Sequence, residues 1–197
     1  VGAHAGDAMS SGADNVSLGF QALTSNTIGN SNVAIGKDSM SVNVAADRNV
    51  AIGLGALQNM TSATTADTYN TAVGYAAGLA VTSGIENTLV GGHAGDSITI
   101  GNYNTAIGLR SLSANIDGDN NTAIGYKALE DYDDGDGNGH NTAVGSRSQF
   151  NATTGEFNTS LGSLSMGVGV TTGNENVAVG YKSGQALTSG QRNILVG

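Results

Sequence analysis

One five-residue phrase recurs along the whole of this 197-residue chain: Asn, Val or Thr, a small residue, an aliphatic residue, Gly. Its glycines fall at Gly2, Gly19, Gly36, Gly53, Gly74, Gly91, Gly108, Gly125, Gly145, Gly162, Gly180 and Gly197. The successive intervals are 17, 17, 17, 21, 17, 17, 17, 20, 17, 18 and 17, so eight of the eleven are identical. The columns hold as firmly as the period. Four residues before each phase glycine from Gly19 onward stands an asparagine: Asn15, Asn32, Asn49, Asn70, Asn87, Asn104, Asn121, Asn141, Asn158, Asn176 and Asn193. The residue before each phase glycine is Val, Ile or Leu, and the third residue after it is Ala or Ser. A second glycine usually sits three before the asparagine, as at Gly84 and Gly101. Such a period means one small unit stacked on copies of itself, because a unit of this size cannot bury its apolar face alone.

The phrase reads as a strand. Its Val/Thr and aliphatic positions are two apart with Ala or Ser mostly between them, the alternation of a strand with one apolar face. That face is expected to point inward, together with the Ala/Ser and Leu columns. The strand is about four residues long and the chain turns at its glycine. A helix is excluded, since a glycine every few residues costs ~1 kcal/mol each. The expected fold is all-β: a β-solenoid (parallel β-roll or β-helix) of about eleven 17-residue coils, one repeat array over residues 1–197. The asparagines read as a ladder at a corner, where Asn tolerates left-handed backbone and neighbouring amides can bond.

Coils come in two kinds. In one, Leu or Met follows the Ala/Ser column, as at Leu23, Met40, Leu57, Leu112 and Leu129; in the other, Gly follows and the apolar residue comes three later, as in Gly78 with Val81 and Gly95 with Ile98. Both are read as filling one core pocket. The long intervals place inserted corner loops at 58–69 and 131–140, the side on which solenoids carry binding loops. Such thin coils bury little apolar area against the cost of ordering every residue in the turn. Several chains are therefore expected to share a core, with the unbroken Ala/Ser columns letting backbones approach at a symmetry axis.

Composition narrows the partners. The absence of cysteine excludes disulfides and thiolate metal sites. A net charge of −9 repels phosphate, so nucleic acid is not an expected partner. No apolar run approaches the ~18 residues of a membrane span, so this segment is not expected to insert in a bilayer. The start at Val1, inside a repeat, suggests a piece of a longer protein.

The run Asn121-Thr122-Ala123-Ile124-Gly125-Tyr126-Lys127-Ala128-Leu129, with Asn32-Val33-Ala34-Ile35-Gly36, resembles repeats of bacteriophage tail-fibre shafts and related endosialidase-chaperone-linked fibres. It is similar, with a longer period, to the heads of trimeric autotransporter adhesins. The resemblance covers essentially the whole chain. It implies an extracellular homotrimeric fibre, on a virion or a bacterial surface, that serves in host attachment and meets a surface glycan or protein. A bacterial surface adhesin head is the alternative within the same architecture.

Chemistry is sparse. Asp134-x-Asp136-x-Asn138-Gly139 has the oxygen ligands and glycine turn of a calcium loop, with the His140 carbonyl at the seventh position. The twelfth position is Gly145 rather than Glu, so the site would need water, Asp131 or another chain. A solvated polar turn explains the same residues; no cofactor is required, and calcium is the one candidate. His4 and His93 share a solvent-facing column with Gln21, Asp38, Arg110, Lys127, Arg147 and Lys182, so no activated nucleophile or base is expected and the chain is not read as an enzyme. Tyr75, Tyr126, Tyr181 and Phe20 follow phase glycines and either shield a corner or form an aromatic track for sugars. A third class remains: Thr71, Thr88, Thr105, Thr122, Thr142 and Thr159 form a column suited to an ice-binding solenoid, though Val or Ile replaces Thr elsewhere in it.

Overall fold

A computed structural model describes residues 2–61, 66–133, 135 and 138–197. The strands are β1 (Val16–Leu18), β2 (Val33–Ile35), β3 (Ala46–Asp47), β4 (Val50–Ile52), β5 (Ala66–Asp67), β6 (Thr71–Val73), β7 (Thr88–Val90), β8 (Thr105–Ile107), β9 (Thr122–Ile124), β10 (Thr142–Val144), β11 (Thr159–Leu161), β12 (Val177–Val179) and β13 (Ile194–Val196). All but β3 and β5 form one eleven-stranded sheet in chain order. Every pair is parallel and in phase with the repeat: Thr105, Ala106 and Ile107 lie opposite Thr122, Ala123 and Ile124. Among the described residues there is no helix. The chain is a parallel β-solenoid of about ten turns, roughly 48 Å long at the usual strand spacing of ~4.8 Å.

Hydrogen bonding between coils continues beyond the strands. The Asp38 N–H donates back to the Phe20 carbonyl at 2.9 Å, while the Leu23 N–H donates forward to Ser39 at 3.1 Å. Tight turns fold the chain between these rungs, as where Ala22 N–H donates to Gly19 and Asn26 N–H to Leu23. They require left-handed backbone at fixed places: the second and fourth residues after the phase glycine and the residue before the ladder asparagine. In one coil these are Gln21 (φ 57°), Leu23 (φ 50°) and Ser31 (φ 56°). The ladder asparagines are not left-handed, contrary to the sequence expectation. The residue before each makes the corner and turns the asparagine side chain inward.

Gly74 shows why the phase position admits only glycine. Its φ is 140°, and an added methyl carbon would lie 2.5 Å from the Gly91 carbonyl oxygen in the next coil. Conformation and space both exclude a side chain.

The core reverses the expected strand orientation. The middle residues Ala34, Ala51, Ala72, Leu89, Ala106, Ala123, Ala143 and Ala178 are fully buried, whereas the Val/Thr and Val/Ile/Leu columns face out. The interior of each coil is already occupied by Leu or Met from the turn and by the asparagine column, which leaves a methyl-sized space beneath the strand. The Ala/Ser column after the phase glycine, represented by Ala22, Ala77 and Ala128, is buried inside its own coil and not at an axis between chains. Leu89 is the informative exception. A methyl on Gly95 would meet Ile98 Cδ1 and a Leu89 methyl, each at 2.8 Å, so glycine in the turn makes room both for the residue three later and for a leucine in the strand.

Candidate functional site

Three sets of residues could carry function: the asparagine ladder, the inserted corners, and the outward face of the sheet. In the ladder, each asparagine Oδ1 accepts the backbone N–H of the asparagine one coil on. Asn104 N–H donates to Asn87 Oδ1 and Asn121 N–H to Asn104 Oδ1, both at 2.9 Å. The amide nitrogen mostly donates to the backbone at the second-glycine position of the following coil, as Asn87 Nδ2 does to the Gly101 carbonyl at 2.9 Å. Asn121 differs, its buried Nδ2 lacking a partner among the described residues. With side chains buried from Asn32 to Asn176, this column closes the backbone and offers nothing to a ligand. A parallel column was not anticipated. Asn30, Asp47, Asn102, Asp119 and Asn174 each accept, through Oδ1, the N–H of a residue one coil earlier. Its sequence signal is an Asn or Asp two before the ladder asparagine, recurring in only some coils.

In both coils with long insertions the described pairing reaches the eighth residue past the phase glycine. Regular cross-coil bonds persist through Thr61 N–H to the Thr82 carbonyl and Asp133 N–H to the Thr153 carbonyl. Beneath the second insertion Tyr132 is fully buried, in the column that Val81 and Ile98 occupy elsewhere. Of the candidate calcium ligands, Asp134 and Asp136 lie outside the described residues. Asp131 and Asn138 are exposed, and the Asn138 carbonyl already accepts the Asp119 N–H at 3.2 Å. Partial desolvation of the otherwise exposed Asp131 carboxyl raises it above its ordinary range, the Glu130 carboxylate adds to this, and Lys127 and Arg110 oppose it. No group of three or more His, Asp or Glu side chains converges among the described residues.

The histidines pair locally. His4 Nδ1 lies 2.5 Å from Asp7 and packs edge-on against Phe20; His93 Nδ1 lies 2.8 Å from Asp96 and packs edge-on against Tyr75. His140 stacks on Phe157 with ring centres 5.0 Å apart.

The sheet's outer face is a uniform surface along the stack. Of its twenty-two outward strand positions sixteen are Val, Ile or Leu and six are Thr. Ile52, Ile107 and Ile124 remain over one third exposed and Leu161 is 50% exposed. Along its edge Phe20, Leu54, Tyr75, Leu109, Tyr126 and Tyr181 are exposed at the corner after the phase glycine. No pocket opens among the described residues. Comparison with protein-family models, with curated proteins and with solved structures gives no match.

Proposed function

We propose that the chain is a structural segment of an extracellular attachment fibre, in which three copies pack their sheet faces together. The observation that carries this reading is the outward strand face. An aliphatic column with one residue from each of the eleven strands, flanked by a Val/Thr column, lies open to water along a single chain. Soluble monomers rarely expose contiguous apolar surface of such extent, and a covering partner with the same repeat would match it rung for rung. The repeat resemblance supplies the number three and the context of a phage tail fibre, with a bacterial surface adhesin head as the alternative. Parallel backbone pairing through the whole stack gives the segment mechanical continuity, and receptor contact falls to the corners and inserted loops.

Light scattering across a dilution series tests the assembly. The expected mass is three times the 19.5 kDa of one chain, and the Ile107→Asp/Ile124→Asp double variant is expected to dissociate while keeping its β circular dichroism. A wild-type chain that stays at 19.5 kDa at every concentration overturns the shared face. A second reading then leads. Six threonines on consecutive coils, Thr71 to Thr159, face outward beside the aliphatic column, the arrangement an ice-binding surface uses. Thermal hysteresis of the monomer decides it.

A further inference from the structure

Three of the seven cations of this acidic chain stand on consecutive coils in one column: Arg110, Lys127 and Arg147, each two after a phase glycine. Stacked coils bring such side chains within reach of one another, so the column holds like charges together, which costs stability unless something neutralises them. Glu130 answers two of them. Its side chain is 6% exposed, with Oε1 3.0 Å from Arg110 Nε and Oε2 3.0 Å from Lys127 Nζ. Arg147 has no carboxylate at ion-pair distance among the described residues. Its guanidinium instead lies over two aromatic rings, 5.8 Å from the centre of Tyr126 and 5.6 Å from that of Phe150. Lys127 Nζ approaches the same rings at 5.7 and 5.5 Å. Two cations and two rings thus form one compact group, with Tyr126 and Arg147 exposed at its surface. The guanidinium thus lies against the rings on a residue that stays exposed. The backbone adds to the cost, since all three cations occupy left-handed positions (φ 54–56°).

We propose that this group binds an acidic saccharide, with Arg147 holding the sugar carboxylate through paired N–H donors and Tyr126 and Phe150 packing against the sugar's C–H face. Arg110, Lys127 and Glu130 fix the local charge. A guanidinium matches a carboxylate in bidentate geometry, and an aromatic ring beside it presents an apolar surface to a pyranose. The site sits at the edge of the sheet face, beyond the strand positions that would pack between copies. For its biological role the proposal rests on the attachment reading above, but its chemistry is tested without a host.

The intact chain is titrated calorimetrically with three probes: oligogalacturonate, the same oligomer as its methyl ester, and inorganic sulfate. Oligogalacturonate is expected to bind and the uncharged ester to bind at least about ten-fold more weakly. Arg147→Gln is expected to weaken oligogalacturonate by about ten-fold or more, the loss of a charge-assisted hydrogen-bond pair, and Arg147→Lys by less. Lys182→Gln, in the same column but remote from the cluster, should leave binding unchanged, and melting curves show that each variant is folded. No binding of oligogalacturonate at millimolar concentration, equal binding of the ester, or an Arg147→Gln variant with wild-type affinity each overturns the proposal. Sulfate binding as tight as the oligomer overturns the saccharide and leaves only an anion point. The native mass is read separately, so failure here leaves the fibre assembly standing or falling on its own measurement.

Discussion

Asn87→Ala is the substitution that most directly tests what holds the coils together. Asn87 is fully buried, its Oδ1 accepts the Asn104 N–H at 2.9 Å, and its Nδ2 donates to the Gly101 carbonyl at 2.9 Å. Alanine removes both partners at once and leaves one backbone donor and one backbone acceptor unpaired between coils. An unsatisfied buried polar group costs about 1–3 kcal/mol, so the pair should cost about 2–6 kcal/mol. Nearest-neighbour coupling in repeat proteins should spread the damage to the coils on either side. The assay is urea denaturation followed by far-ultraviolet circular dichroism, at one fixed protein concentration so that any assembly contributes equally to both chains. Glu86→Ala is the control, because Glu86 is an exposed neighbour whose side chain closes no coil. A loss below about 0.5 kcal/mol for Asn87→Ala, the range of ordinary surface substitutions, would refute the ladder as a stabilising device.

Further outcomes follow from other residues. Gln149 is fully buried where most coils carry Leu, Met or Gly, its Oε1 has no partner among the described residues, and its Nε2 reaches the Ser160 hydroxyl at 3.1 Å. The double variant Gln149→Leu/Ser160→Ala restores the usual apolar pair and should raise stability by about 1–2 kcal/mol, measured by urea denaturation; a loss would mean that the polar layer is itself stabilising. Asp131 has a raised folded pKa, so it opposes folding fully above that pKa, and the penalty fades as pH falls toward the unfolded value. Asp131→Asn should therefore melt higher than wild type at pH 7 and level with it at pH 3; a variant melting lower at pH 7 contradicts this sign. Glu175 runs the other way, since the Arg192 hydrogen bond and charge lower its pKa, so its contribution is present at neutral pH and lost under strong acid. Calorimetric titration with calcium tests the 131–140 corner, where binding in the millimolar range supports the loop reading and a flat titration removes it.

The period, the strand class and the stacking order were legible because they depend on columns that recur in every coil. Strand orientation was not. Alternation shows that two faces exist, and the larger aliphatic residues of the Asn-Thr-Ala-Ile-Gly phrase suggest that theirs is the inner one. The deciding signal is subtler. Leu89 takes the place of alanine in a strand flanked by coils whose turns carry Gly78 and Gly95, and a methyl on either glycine would strike a Leu89 methyl carbon. A leucine that requires glycines inside the coil must itself point inside, which places its strand neighbours Thr88 and Val90 outside. The left-handed corners were hidden for another reason. Bulky residues such as Tyr103 and Phe157 occupy them, where propensity would favour Gly or Asn, because the bonded coils above and below fix the backbone. The side-chain acceptors Asp47 and Asp119 were missed because their column is only partly filled.

Closure of the coils and the character of the surface are assigned to different columns. The phase glycine, the ladder asparagine and the Ala/Ser residue close each coil, and between the end coils the asparagines from Asn32 to Asn176 are buried. The column before the asparagine runs Asp14, Ser31, Arg48, Tyr69, Glu86, Tyr103, Asn120, His140, Phe157, Glu175 and Arg192, every one exposed. The column two after the phase glycine is almost as varied. In the column before the asparagine the side chain points away from the coil, so its identity has little effect on the ladder beneath. In both long coils the cross-coil bonds run as far as the same eighth position, Thr61 and Asp133. A surface of this kind can change its chemistry coil by coil while the stack remains intact. The Arg110, Lys127 and Arg147 column is one such local change, and in the coils that bear it the strand pairing and the N–H to Oδ1 bonds of the asparagine ladder continue.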